Sequence, residues 1–155
     1  MASGRVAIAV IGSANPSEKT RALAFEVGRE LAKRGAMLIC GGLGGVMEAA
    51  AKGAYEHGAL TVGILPGYER SAANPYIVIP IATGMGEARN VIVVASAQAV
   101  IAMEGESGTM TEIGFALKLR RPVVALDAWH HIDGLERADS PVRAVELAIQ
   151  LASKG

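Results

Sequence analysis

Short apolar segments alternate along the chain with longer segments in which apolar residues recur every three or four positions. The short segments are rich in Val and Ile, which predicts strands buried on both faces of a parallel sheet. The longer ones predict amphipathic helices. The predicted strands cover residues 6–11, 37–40, 60–65, 77–81, 99–103 and 122–126. This alternation predicts an α/β protein with an open, mainly parallel, Rossmann-like sheet and helices on both faces.

Capping residues and glycines set the expected helix boundaries. Ser17 is placed to cap a helix that runs to Arg34, with Gly35 as its stop. Ser140 and Pro141 open a last helix that continues to about residue 153. Further helices are predicted over residues 46–57 and 107–120, the second capped by Ser107 or Thr109.

Turn-forming residues occur in and before the fourth predicted strand. Pro80 lies in the fourth predicted strand and cannot donate a ladder hydrogen bond, so we expect that strand at an edge or ending there. Residues 68–75 have turn composition and are predicted to form a mobile lip over a site.

Composition limits the classes of function. The chain has 155 residues, which fits a single domain over residues 1–155 that buries about 70% of its unfolded surface. Fifteen basic and fifteen acidic side chains cancel, so the net charge does not favour nucleic acid or a membrane surface as a partner. Cys40 is the only cysteine, which is compatible with a reducing cytoplasm. A small ligand in a cytoplasmic protein is therefore the expectation.

A metal site is not expected. His130 and His131 are adjacent, so their side chains point in divergent directions, and no ligand set at metal spacing accompanies them. Cys40 lies on a predicted buried strand and is interpreted as a small core residue. No lysine stands in a recognisable pyridoxal phosphate setting, which argues against amino-acid decarboxylation.

The usual dinucleotide motif is also missing. That motif requires Gly-x-Gly-x-x-Gly after the first strand and an acidic residue at the end of the second. Here Gly12 is followed by SANP, and the second strand ends in Cys40 and Gly41. The sequence therefore predicts against NAD bound in the Rossmann mode.

The turn after the fifth predicted strand has the composition of an anion site. Gly105 and Gly108 allow close approach of a ligand to the backbone, and the hydroxyl groups of Ser107 and Thr109 add donors. Glu112 lies one helical turn further on, with its side chain leaning back toward the turn. From these residues alone, a purely structural turn with a solvated Glu112 is an equal alternative.

Residues 104–112, EGESGTMTE, resemble the Pro-Gly-Gly-x-Gly-Thr-x-x-Glu motif of the LONELY GUY (LOG) phosphoribohydrolases, long mislabelled lysine decarboxylases, and of the related molybdenum cofactor carrier proteins. Arg89 has the spacing of that family's functional arginine, and residues 41–47 are similar to its second glycine loop. The pair Arg89 and Asn90 is more similar to the carrier-like branch. Glu104 and Glu106 depart from the motif and place carboxylates beside the expected phosphate site.

The resemblance implies functional roles for Arg89 and Glu112. We expect the loops after the first, second and fifth strands to converge at the carboxyl edge of the sheet, where open α/β folds bind ligands. The candidate phosphate-binding residues are Gly12, Ser13, Gly41, Gly42, Gly44, Gly45, Gly105, Glu106, Ser107, Gly108 and Thr109.

Two functions remain open at this point. The first is a carrier that binds a phosphorylated heterocycle, either a molybdopterin-type cofactor or a nucleotide, without turnover. The second is a hydrolase that cleaves the N-glycosidic bond of a nucleoside 5′-monophosphate, in which Arg89 positions the substrate and Glu112 activates water or stabilises an oxocarbenium-like centre. Neither requires a cofactor for chemistry. The carboxylates at Glu104 and Glu106 favour the carrier, and Glu106 is predicted to point into the phosphate site.

Residues 88–97 have the composition of a strand, and the resemblance favours a helix. A helix without a polar face needs apolar cover on all sides. We expect a homo-oligomer, a dimer or a tetramer, formed through this helix; burial beneath the protein's own loops is the alternative.

Overall fold

A computed structural model describes residues 4–155. It contains one seven-stranded sheet in the order β4-β3-β2-β1-β5-β6-β7, and all neighbouring strands are parallel. The strands are β1 (Ala7–Ile11), β2 (Met37–Cys40), β3 (Thr61–Leu65), β4 (Ile79–Ala82), β5 (Ala99–Ala102), β6 (Val123–Leu126) and β7 (Glu136–Ala138). The predicted α/β fold is confirmed.

Four α-helices lie between strands, and a fifth follows the last strand. They are α1 (Glu18–Lys33), α2 (Val46–Glu56), α3 (Arg89–Ala95), α4 (Ser107–Lys118) and α5 (Pro141–Ala152). Ser17 caps α1 by accepting a hydrogen bond from the backbone N–H of Thr20 at 3.1 Å, and Ser140 caps α5 through Arg143 at 3.2 Å. Both caps confirm the sequence prediction. No helix within residues 4–155 has the length and apolar character needed to cross a bilayer.

The helices form one layer on each face of the sheet. On one face α1, α2 and α5 pack on Ile8 and Val10 of β1, and on the other α3 and α4 pack on Ala7, Ala9 and Ile11. Successive residues of a strand point to opposite faces, so every residue of β1 is buried. This explains why the central strands are apolar throughout rather than alternating.

Helices α1 and α2 pack unusually close together because glycines face the neighbouring helix. A methyl group added at Gly53 would overlap the backbone carbonyl oxygen of Phe25, and one at Gly28 would overlap that of Ala50. Ala24 and Ala54, both fully buried, line the same contact. Small residues thus allow residues 50–54 of α2 to lie directly against α1.

The sequence predicts one edge strand of the sheet, β4, and does not predict the other, β7. Pro80 lies in the edge strand β4, as expected. The other edge strand, β7, was missed because its three residues, Glu136–Ala138, are mostly exposed and lack the apolar pattern.

The structure of α3 weakens the argument for an oligomer formed through this helix. Val93 and Val94 are fully buried within the chain itself, in the core beneath α3 and α4. The exposed large apolar side chains of this layer lie on α4, at Met110, Phe115 and Leu117. Self-association therefore stays a prediction, but the apolar composition of α3 is explained largely by the chain's own core.

The helix contact can be tested with a pair of glycine substitutions. Gly53→Ala should lower the free energy of unfolding by about 1–3 kcal/mol, because the added methyl group meets rigid backbone. Gly114→Ala is the control, since a methyl group there meets no atom within 4 Å on an exposed part of α4. It should raise stability by about 0.5–1 kcal/mol. Urea denaturation measures both, and equal stabilisation of the two variants would contradict the close contact.

Candidate functional site

A cavity of about 200 Å³ opens at the carboxyl edge of the sheet, between the loops that follow β1 and β2, the start of α3 and the start of α4. Seven of the predicted site residues line it, namely Gly12, Gly41, Arg89, Glu106, Gly108, Thr109 and Glu112. Six others do not line it, namely Ser13, Gly42, Gly44, Gly45, Gly105 and Ser107. The predicted loops therefore meet at the cavity, although only part of each loop lines it.

Ser13 joins the loops that form the cavity. Its backbone N–H donates to the carbonyl oxygen of Glu104 at 2.8 Å, and its own carbonyl accepts from the N–H of Val46 at 2.9 Å. Gly45 precedes α2 with φ of 69°, and a side chain there would overlap the Ser13 carbonyl oxygen. Ser13 and Gly45 are thus structural residues that fix the positions of three loops.

The guanidinium group of Arg89 is buried and unpaired. Arg89 is 5% exposed, and its Nε atom has no hydrogen-bond partner. None of the ion pairs within residues 4–155 includes it. A side chain at Gly41 would overlap the Arg89 guanidinium, so this glycine provides the space that the guanidinium occupies. The cavity therefore contains a cation without a protein anion against it.

Glu112 is buried in the same cavity and is 8% exposed. Burial raises the pKa of its carboxyl group to about 8; Arg89 opposes this rise and Glu87 adds to it. At neutral pH the Glu112 carboxyl is therefore mostly protonated and can donate its O–H. The alternative of a solvated Glu112 is excluded by its burial.

The start of α4 differs from the expected capping. Glu106, not Ser107 or Thr109, is the N-cap residue, and its side chain makes no capping hydrogen bond to the helix. Its carboxylate instead accepts a hydrogen bond from the Ser13 hydroxyl group at 2.9 Å. Thr109 is buried against Gly105, where a side chain would overlap the Thr109 hydroxyl oxygen. The first turn of α4 thus keeps backbone N–H groups without a side-chain cap.

The predicted lip has a different role. Residues 68–75 do not line the cavity. Asn74 is buried, and its side-chain amide donates to the carbonyl oxygens of Gly42 and Leu43 at 3.3 and 2.9 Å. The segment therefore supports the glycine loop after β2 from outside, which the turn composition alone did not indicate.

Sequence analysis also missed two polar residues of the cavity, Glu87 and Asn90. Asn90 is 4% exposed and follows Arg89 at the start of α3. The sequence signal was present, since Asn90 follows Arg89 directly and Glu87 precedes it by two residues. Their side chains face the cavity because the turn at residues 86–88 leads directly into α3.

The other polar candidates lie apart from this chemistry. Burial raises the pKa of the Cys40 thiol to about 12, so Cys40 is a protonated core residue. His130 and His131 are exposed and do not line the cavity. Within residues 4–155, no three His, Cys, Asp or Glu side chains are grouped to hold a metal ion.

A family model described as the SLOG cluster4 family matches residues 5–152. The chain belongs to the SLOG cluster4 family. An uncharacterized protein of Archaeoglobus fulgidus is 44% identical over 147 residues, which cover 95% of this chain and 97% of that one. A Mycobacterium tuberculosis protein named cytokinin riboside 5′-monophosphate phosphoribohydrolase is 33% identical, over 86% of this chain and 76% of its own. The LOG-like superfamily predicted from residues 104–112 is confirmed.

Solved structures similar to this SLOG cluster4 protein include two molybdenum cofactor proteins. The molybdenum cofactor binding protein of Rippkaea orientalis is 32% identical with a TM-score of 0.91, over 97% of this chain and 99% of that one. The Moco carrier protein of Chlamydomonas reinhardtii is 33% identical with a TM-score of 0.89, over 98% and 100% of the two chains. These similarities and the phosphoribohydrolase relative support either a ligand-binding or a LOG-type role.

The burial of Glu112 has a measurable effect on stability. An unfolded glutamate titrates near pH 4.5 and folded Glu112 near pH 8, so between these values the folded protein keeps a proton that the unfolded chain loses. The free energy of unfolding of the wild type therefore falls as the pH rises through this window. At pH 8.5, Glu112→Gln should raise Tm above that of the wild type by several degrees. This corresponds to an increase in the free energy of unfolding on the order of 2 kcal/mol.

The same comparison at pH 4 should show a smaller difference between the two proteins, because Glu112 is then protonated in both states. Glu104→Gln removes an exposed carboxylate close by in sequence and is the matched control. Thermal unfolding followed by circular dichroism measures Tm across the pH range. A Glu112→Gln effect of the same size at every pH would contradict the burial of an ionisable carboxyl.

Proposed function

We propose that this SLOG cluster4 protein binds a phosphorylated heterocycle, a nucleotide or a molybdopterin-type cofactor, and releases it unchanged. The observation that carries the proposal is the buried Arg89 guanidinium, which has no protein anion against it. A buried cation with no carboxylate in ion-pair contact is costly, and an anionic group of a ligand would offset that cost. The Rippkaea orientalis and Chlamydomonas reinhardtii proteins, which their names connect with the molybdenum cofactor, support a carrier role.

The protonation state of Glu112 supports anion binding beside Arg89. With a pKa of about 8, its carboxyl group carries little negative charge at neutral pH. A phosphate oxygen accepts hydrogen bonds, so a neutral carboxyl group can donate to it where a carboxylate would repel it. Bound anion would favour the protonated form further.

The backbone N–H groups of α4 and the volume of the cavity also support the proposed anion site. The first turn of α4 has no side-chain cap at its N-cap, and Gly108 and Thr109 of that turn line the cavity. The N-terminus of a helix favours anions through its free N–H groups and its dipole. The cavity of about 200 Å³ is smaller than the roughly 300–1,000 Å³ of sites that enclose a drug-sized ligand. It would enclose only part of such a ligand, with the rest extending through the open side.

The alternative function is hydrolysis of a nucleoside 5′-monophosphate, and its specific support is the burial of Arg89 and Glu112 in one cavity. In that reaction a water oxygen bonds to C1′ of the ribose while the C1′–N bond breaks. The base leaves with a proton, and ribose 5-phosphate is formed. Glu112 would take the proton from water in its ionised form or give a proton to the leaving base in its protonated form, so its raised pKa fits hydrolysis as well as binding.

Calorimetry at pH 6.5 tests the anion site with nucleoside monophosphates and inorganic phosphate as probes. Arg89→Gln should weaken binding at least tenfold, because a charge-assisted hydrogen bond to a buried guanidinium is lost. Arg121→Gln is the control, since Arg121 also has an unpartnered Nε but lies outside this cavity. Equal affinity of the wild type and Arg89→Gln would overturn the proposed role of Arg89.

Turnover separates the two functions. Incubation of the protein with a panel of nucleoside monophosphates should release no free base, as measured by chromatography. If base is released, and Glu112→Gln lowers the rate by orders of magnitude while binding is kept, the protein is a hydrolase and the carrier proposal fails. Mass spectrometry of ligand that co-purifies with the protein identifies what a carrier holds.

A further inference from the structure

The side chain of Ser13 has defined donor and acceptor roles. Ser13 is 2% exposed, and its backbone is held by Glu104 and Val46. Its hydroxyl oxygen accepts a hydrogen bond from the backbone N–H of Asn15 at 3.0 Å. The hydroxyl hydrogen is then available to Glu106, whose Oε1 atom lies 2.9 Å away. The Ser13 hydroxyl group therefore donates to the Glu106 carboxylate and holds it in place.

The Glu106 side chain does not cap α4, the helix that it precedes. A carboxylate at a helix N-cap normally accepts hydrogen bonds from the first-turn N–H groups, and here no such bond is made. The carboxylate is turned toward Ser13 and lines the cavity that also contains Arg89. Its Oε2 atom makes no hydrogen bond within residues 4–155, so it is available to accept one from a ligand.

One cavity thus presents a cation and an acceptor. Phosphate oxygens are acceptors and are repelled by a carboxylate, so the phosphate of a bound ligand belongs with Arg89 rather than with Glu106. A ligand that contacts both side chains must present negative oxygens to Arg89 and N–H donors to Glu106. This step rests on the proposed function, because it takes the ligand to be a phosphorylated heterocycle.

We propose that Glu106 determines specificity by accepting hydrogen bonds from the heterocycle, so that the preferred ligand has a ring N–H beside an exocyclic amino group. Guanine and pterins share this edge, and it can donate two parallel hydrogen bonds to one carboxylate, one to the free Oε2 and one to Oε1, which keeps a second acceptor position beside the Ser13 hydroxyl. Adenine presents a ring nitrogen acceptor beside its amino group, and that lone pair faces the carboxylate unfavourably. The protein therefore prefers guanine-type over adenine-type ligands that carry the same phosphate.

Calorimetry with GMP, IMP and AMP tests this preference while the phosphate stays constant. The wild type should bind GMP at least tenfold more tightly than AMP, with IMP between them because it keeps the ring N–H and lacks the amino group. Glu106→Gln should reduce the ratio of GMP to AMP affinity to about threefold or less, since one carboxylate oxygen is replaced by an amide donor. Glu106 is exposed, and thermal unfolding checks that the variant folds.

Glu104→Gln is the matched control, because Glu104 is an exposed carboxylate two residues away that does not line the cavity. It should keep the wild-type preference. Equal affinity of the wild type for GMP and AMP, or an unchanged preference in Glu106→Gln, would overturn the role of Glu106 and leave the proposed function standing. Failure of all three nucleotides, a phosphorylated pterin and inorganic phosphate to bind would overturn both.

Discussion

The cavity depends on one short junction, at which Ser13 bonds to two other loops at once. The loop after β1 is joined through Ser13 to Glu104 after β5 and to Val46 at the start of α2. Each partner comes from a different strand-to-helix connection, so the cavity keeps its shape only while all three are in register. The close packing of α1 on α2 at Gly28 and Gly53 positions the body of α2, the helix that follows the loop after β2.

The charges and hydrogen-bonding groups of three side chains then determine the polarity of the cavity. Arg89 carries a buried positive charge, Glu112 is held mostly protonated by burial, and Glu106 is an acceptor at the cavity wall. A protein that only needed to be stable would gain from apolar side chains at Arg89 and Glu112. Keeping both polar groups buried and unpaired costs stability, and a ligand that supplies an anion recovers part of that cost. This is the physical reason for proposing that the cavity binds a ligand.

Several features could be predicted from local sequence because they are local in origin. The caps at Ser17 and Ser140 need only the residues of one helical turn, and the edge position of β4 follows from the missing N–H of Pro80. Strand β7 lacked an apolar pattern and was missed. The support that Asn74 gives to the loop after β2 joins residues about thirty positions apart, which no local pattern reports.

The sequence by itself determined the α/β fold, the family and the pair Arg89 and Glu112, since apolar periodicity and a short motif carry this information along the chain. Only the tertiary structure decided which glycines line the cavity, that Arg89 has no protein partner, and that Glu106 turns to Ser13. The reason is physical. Burial, pKa and hydrogen-bond partners depend on groups brought together from distant positions, as Ser13 and Glu106 are across 93 residues, and they exist only once the sheet has formed.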